Sequence, residues 1–180
     1  MDEAKRVVAA LKAAGKTAAT AESCTGGLIG KLLTDVSGSS AVYPGGVISY
    51  AYEVKQALLG VDEALLREKG AVCAEVAEQM ASGVRARLGT DFGVASTGIA
   101  GPGSDEFDRP VGLVFLAVAD GRSTRVFEHR FSGDRADVRA AGDEQACRRV
   151  AQTVDIQVRR QVICFEDFLE APSERRGSHR

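Results

Sequence analysis

The 180-residue sequence predicts an α/β fold, a three-layer α/β/α sandwich around a mixed β-sheet, and three observations carry that prediction. Strand-like and helix-like segments interleave along the chain, the order expected when helices cover both faces of one sheet. Val111–Ala119 is nearly all apolar, as a strand buried on both faces must be. Thr124–Phe131 alternates in polarity, and only four residues, Gly121 among them, separate it from Ala119, which favours an antiparallel hairpin.

The elements follow in order from periodicity. Ala4, Val7, Val8, Leu11 and Ala14 recur at helical spacing, so residues 3–14 form an amphipathic helix stopped by Gly15. Thr17–Ala21 reads as a short strand. Leu28, Ile29, Leu32, Leu33 and Val36 mark a second helix, entered through Glu22–Gly27. A turn-rich stretch from Gly38 to Gly46 leads to a strand over Val47–Tyr50, then to short helices near 53–59 and 62–69. Val76, Ala77, Met80, Val84 and Leu88 define a helix over 74–88, and Phe92–Ser96 is strand-like. From Arg135 the chain is helical, with Gly142 expected to interrupt it. Val154–Val158 alternates like a strand, but Val150, Val154, Val158, Val162 and Phe165 hold a longer helical stripe, which decides for helix. Residues 1–168 are read as one domain and 169–180 as a polar tail.

Composition excludes several classes of function. Apolar residues make up 44% and charged residues 27%, a globular balance. A net charge of −2 offers no electrostatic footprint for nucleic acid. No apolar run reaches the roughly 18 residues that a membrane span needs, and Met1–Lys5 is charged rather than signal-like. The four cysteines are scattered without a CxxC pair, the usage of a reducing cytoplasm. With only two histidines, one in a strand (His129) and one near the end (His179), neither a His-rich metal site nor a Ser-His-Asp triad can be assembled. No metal and no cofactor are expected.

Three loops concentrate small and polar residues. Thr20–Gly27 lies between a strand and a helix. Ser23 there can attack a carbonyl while the amides of Cys24, Thr25, Gly26 and Gly27 receive the oxyanion, or Ser23 or Thr25 can simply cap the helix. Gly45-Gly46-Val47-Ile48-Ser49-Tyr50 precedes Lys55. A lysine whose pKa is lowered by burial can replace histidine as base with Tyr50 as relay, although a core tyrosine and a solvated lysine are the plainer alternative. Thr97–Ser104 can cradle a phosphate or sugar through backbone amides, or serve only as a turn. The acidic stretch Asp105–Asp108 lacks a second carboxylate cluster to complete a magnesium site and reads as a solvated loop tip.

Taken together, these loops resemble the C-terminal domain of the CinA (competence/damage-inducible) family, whose members include nicotinamide-nucleotide amidases. The likeness rests on Ala21-Glu22-Ser23-Cys24-Thr25-Gly26-Gly27, Gly45–Tyr50 with Glu53 and Lys55, Thr97–Gly103, Arg109-Pro110-Val111-Gly112, and Phe131 with Gly133-Asp134-Arg135 and Arg139. It implies hydrolysis of nicotinamide mononucleotide to nicotinate mononucleotide and ammonia, by a Ser-Tyr-Lys arrangement falling on Ser23, Tyr50 and Lys55. It also implies substrate-lining roles for Gly45, Gly46, Thr97, Gly98, Ala100, Gly101 and Arg135, and a domain that commonly self-associates as a homo-oligomer. Where the family usually shows Ser-Asn-Glu-Ala before the lysine, this chain has Ala51, Tyr52, Glu53 and Val54. That departure keeps a rival open, a catalytically idle nucleotide-binding or protein-interaction module. A second rival makes Cys24 the nucleophile.

Overall fold

A computed structural model describes residues 2–170, with side chains through residue 156. The elements are α1 (Asp2–Ala14), β1 (Ala18–Glu22), α2 (Leu28–Thr34), a 3₁₀ turn (Ser39–Ala41), β2 (Gly45–Ile48), α3 (Tyr52–Leu59), α4 (Glu63–Lys69), α5 (Ala74–Leu88), β3 (Phe92–Gly98), β4 (Leu113–Ala119), β5 (Thr124–Arg130) and α6 (Arg135–Glu170). The five strands form one sheet in the order β2-β1-β3-β4-β5. β1 pairs in parallel with β2 and β3, whereas β3–β4 and β4–β5 are antiparallel, so the sheet is mixed and the hairpin is present.

The two faces of the sheet differ in side-chain size, and that difference sets how closely the helices approach. Phe92, Val94, Val114, Leu116 and Val118 point toward α1, α2 and α6, where they meet Val7, Leu11, Ile29, Leu33, Val138 and Val150. The opposite face presents Ala19, Ala21, Ala95, Ala117 and Ala119 to α4 and α5. With so little side chain between them, α5 lies almost on the sheet. A Cβ on Gly93 would fall 2.0 Å from Ala81 O, and one on Gly83 would fall 2.0 Å from Leu59 O at the end of α3. Gly83 is therefore where α5 admits the helix that carries Lys55.

Three departures from the sequence reading have physical reasons. β2 lies two residues earlier than expected, because Gly45–Ile48 pair with Ala19–Glu22 and the chain then turns its next carbonyls toward α3. β4 begins at Leu113 rather than Val111, because Gly112 adopts φ +90° against Phe131. Gly142 does not interrupt α6. A helical glycine costs about 1 kcal/mol, and the burial of Val138, Ala146, Val150, Ala151 and Val154 outweighs it. The expected tail at 169–180 lies outside the described residues from 171 onward, and α6 continues through Glu170. Among the described residues no helix is long and apolar enough to cross a membrane.

Gly83→Ala should force α5 away from Leu59 and destabilise the fold by about 1–3 kcal/mol, the usual penalty of overpacking. The urea midpoint should fall at unchanged slope; an unchanged midpoint would show that the two helices separate freely.

Candidate active site

The site forms where β1, β2 and β3 end, and it begins with a carboxylate rather than with the serine. Glu22 is the last residue of β1 and is fully buried. Its Oε2 accepts hydrogen bonds from Thr25 Oγ1 (2.8 Å), Gly27 N (2.8 Å) and Ile29 N (3.1 Å), and its Oε1 accepts from Gly30 N (2.8 Å). Those amides belong to the first turn of α2, where a negative group also meets the positive end of the helix dipole. Because Thr25 gives its only hydroxyl proton to Glu22, the 2.6 Å bond between Thr25 and Ser96 must have Ser96 as donor. Arg139 on α6 closes the turn from outside, donating to Cys24 O (3.1 Å) and Thr25 O (3.0 Å). Neither Ser23 nor Thr25 caps α2. The N-cap is Gly27, and Glu22 does the work of a capping side chain.

Strand alternation then aims Ser23. Ala21 faces the alanine side of the sheet and Glu22 the other, so Ser23 returns to the side of α3 and α5. Its amide donates to Ser96 O (2.9 Å), continuing the β1–β3 pairing. Lys55 projects from α3 to meet it, with Nζ 3.1 Å from Ser23 Oγ. The same nitrogen donates to Ser49 O (2.6 Å) and Tyr50 O (3.2 Å), the carbonyls that follow β2. Lys55 is 0% exposed and Ser23 only 8% exposed. Among the described residues no carboxylate pairs with Lys55, and burial lowers its pKa from 10.5 to about 8. Burial pushes the Cys24 thiol the other way, up to about 11, which favours the protonated thiol at neutral pH over the nucleophilic thiolate.

Several expected site residues hold other positions. Tyr50 is 64% exposed. Its hydroxyl accepts from Arg135 (3.2 Å) and its carbonyl serves Lys55, so the Lys55–Ser23 contact is direct and the phenol does not stand between them. Thr97 donates its hydroxyl to Ala71 O (2.7 Å) and is committed to packing. Gly98 is glycine because a Cβ would strike Leu113 O and Val114, and Gly46 because one would strike Thr20 Oγ1 in the Thr20–Tyr43 hydrogen-bonded pair. Gly45 sits beside it in β2, and both glycines line a small pocket of about 220 Å³ together with Gly27, Gly30 and Tyr43. The amides of Gly26 and Gly27 are taken by Ser23 O and Glu22, which leaves those of Cys24 and Thr25, both lying against the Cys24 sulfur. Arg135 donates to Gly101 O (2.8 Å) and Tyr50 Oη, rather than pairing with Asp134 or Asp137, whose carboxylates cap the start of α6. A cleft of about 660 Å³, within the range of small-molecule sites, opens beside it between Ala100, Pro102, Val111, Ala136 and Arg139.

The CinA C-terminal domain model matches residues 2–154. The chain belongs to the CinA C-terminal domain family. It is 54% identical over 125 residues to a CinA-like protein of Geobacter sulfurreducens, covering 69% of this chain and 30% of that protein. Against a CinA-like protein of Acidobacterium capsulatum it is 48% identical over 136 residues, covering 76% and 33%. The match thus spans about a third of the length of these relatives. Among solved structures, a competence-damaged protein (CinA) superfamily protein from Klebsiella pneumoniae superposes with a TM-score of 0.83 at 30% identity, covering 86% of this chain and 96% of that one. A competence/damage inducible protein from Agrobacterium tumefaciens gives 0.81 at 38% identity, covering 86% and 94%.

Within this CinA domain, Tyr52 is placed by its contacts. Its hydroxyl donates to Glu106 and accepts from Ala71 N (3.2 Å), so it clasps the 105–109 loop instead of entering the Ser23–Lys55 contact. That loop is exposed at Glu106, Phe107 and Asp108, as expected of a solvated tip, and is also bonded internally. Asp105 accepts from the amides of Phe107 and Arg109 and pairs with the Arg109 guanidinium, which also reaches Lys69 O. Glu22, Ser96 and Arg139 are the residues that sequence reasoning did not assign to the site. The available signal was Glu22 itself, an acid followed within six residues by two glycines and a helix start.

Glu22→Gln keeps the shape but turns an NH₂ toward donors that need an acceptor. It should destabilise the chain by roughly 3 kcal/mol or more, seen as a lower thermal midpoint, and should slow fluorophosphonate labelling of Ser23. Wild-type stability with wild-type labelling would show that Glu22 does not hold the turn.

Proposed function

We propose that this chain is an amidohydrolase that converts nicotinamide mononucleotide to nicotinate mononucleotide and ammonia, with Ser23 as nucleophile and Lys55 as base. The observation that carries the reading is the direct contact between a buried serine hydroxyl and a buried lysine with a depressed pKa. A neutral amine has two N–H groups and one lone pair. Ser49 O and Tyr50 O accept the two N–H groups, which leaves the lone pair for the Ser23 hydroxyl proton. With a pKa of about 8, roughly one lysine in ten is in that neutral form at pH 7.

The reaction is acyl transfer. Lys55 Nζ takes the Ser23 proton as Oγ bonds to the carboxamide carbon, and the carbonyl oxygen becomes an oxyanion. The Cys24 and Thr25 amides hold it, since the thiol they now face is a weak acceptor. The C–N bond then breaks, Lys55 returns its proton to the departing nitrogen, and ammonia leaves. Water, deprotonated by the same amine, cleaves the Ser23 ester and releases the carboxylate. Arg135 at the rim of the cleft is suited to a 5′-phosphate, because its planar guanidinium can add an anion to the Gly101 and Tyr50 oxygens it already bonds.

Two experiments test this. Ser23→Ala and Lys55→Ala should each abolish ammonia release while Cys24→Ser retains substantial activity, and kcat/KM should climb tenfold per pH unit until it levels near pH 8, where Lys55 becomes neutral. An active Ser23→Ala enzyme, or an acid limb centred near pH 10, would contradict the dyad. Separately, Arg135→Ala should raise KM for the mononucleotide about ten- to a hundredfold. Nicotinamide riboside should be a poor substrate that this mutation hardly affects, and equal hydrolysis of riboside and mononucleotide would remove the phosphate contact.

A further inference from the structure

Ser49 stands one residue beyond the end of β2, and three of its features point to the lysine. Its amide donates to Glu22 O (2.8 Å), extending the β1–β2 ladder by a residue. Its carbonyl accepts the shortest of the three Lys55 bonds, at 2.6 Å. Its side chain is completely buried, and the hydroxyl has no hydrogen-bond partner among the described residues. Alternation along β2 puts that side chain on the same side as Val47, facing α3 and α5, where Ser23 and Lys55 also stand. An unpartnered buried hydroxyl lowers stability relative to alanine, so its presence calls for a partner gained at another stage.

The amine supplies that stage. In the resting site the neutral nitrogen is saturated by two carbonyls and the Ser23 hydroxyl. Once it has taken the Ser23 proton it carries three N–H groups, while Ser23 Oγ, now bonded to the carboxamide carbon of the tetrahedral intermediate, is a weaker acceptor. We propose that Ser49 is a positioning residue whose hydroxyl, by turning about χ1, accepts the third N–H of the Lys55 ammonium while the tetrahedral intermediate on Ser23 stands. The device keeps the charged amine aimed at the reacting atoms instead of letting it swing toward solvent. The surrounding charges do not compete for this role. Cys24 is the titratable group that couples to Lys55, Glu22 lies on the other side of β1, and the Tyr50 and Tyr52 hydroxyls are bonded to Arg135 and Glu106.

The catalytic consequence rests on the acyl-transfer reading, but the hydrogen bond can be measured without turnover. Ser23→Ala removes the Ser23 oxygen as an acceptor, which bonding to the carboxamide carbon weakens in the tetrahedral intermediate. Titration of Lys55 by NMR with ¹³C-labelled lysine should then give a pKa about one unit lower in Ser23→Ala/Ser49→Ala than in Ser23→Ala, a tenfold change in proton affinity. With Ser23 present, Ser49→Ala should move the titration little, leave the thermal midpoint unchanged or higher, and lower kcat about tenfold with KM nearly constant. Equal Lys55 titrations in the two Ser23→Ala backgrounds would overturn the inference. A one-unit shift in a chain that releases no ammonia from the mononucleotide would sustain it and refute the amidase reading instead.

Discussion

The Glu22 carboxylate is the interaction on which the rest of the site depends. A turn that leaves a strand and enters a helix brings a set of unpaired amides into a buried place, and such amides must be satisfied. One carboxylate satisfies three of them and orients Thr25, which in turn orders Ser96. The glycines at 26 and 27 have left-handed φ values of +63° and +99°, which lets the chain wrap around the acid within that short span. Ser23 itself makes few contacts. It is held because everything on either side of it is bonded to Glu22 or to β3.

Glu22 also separates two jobs by sidedness. Successive strand residues point to opposite faces, so a structural acid and the serine that meets Lys55 can be sequence neighbours without touching. The acid anchors the turn on the α2 side, and the serine meets Lys55 on the α3 side. This lysine needs no catalytic partner of opposite charge. Its basicity is produced by burial, and two backbone carbonyls fix its direction. The fold offsets the cost of a buried amine elsewhere, chiefly through two apolar clusters with the sheet between them.

The alanine face of the sheet links architecture to this chemistry. Small residues at 19, 21, 95, 117 and 119 let α5 settle close to the strands, and Gly83 lets the end of α3 settle on α5. A bulkier face would lift α3 and carry Lys55 away from Ser23. Residues far from Ser23 and Lys55 therefore govern the 3.1 Å contact between them.

Periodicity alone determined the order and kind of nearly every element, because amphipathic helices and doubly buried strands leave different spacings of apolar residues. The loop that carries Ser23 and the segment that precedes Lys55 were also legible, as dense runs of small and polar residues, whereas Arg135 was marked only by the family resemblance. The sequence could not assign a use to each glycine or hydroxyl, since that depends on what lies across the gap. Gly46 faces Thr20, Gly98 faces β4, Thr97 bonds to Ala71, and Tyr52 reaches Glu106, all pairings between distant segments. Gly142 misled for the same reason: local helix propensity argued for a break, and burial of its neighbours prevailed. Whether Lys55 is solvated or buried was undecidable from spacing, because desolvation is a property of the folded surroundings and of no single residue. Only the tertiary structure decided it, by closing α3 over the ends of β1 and β2.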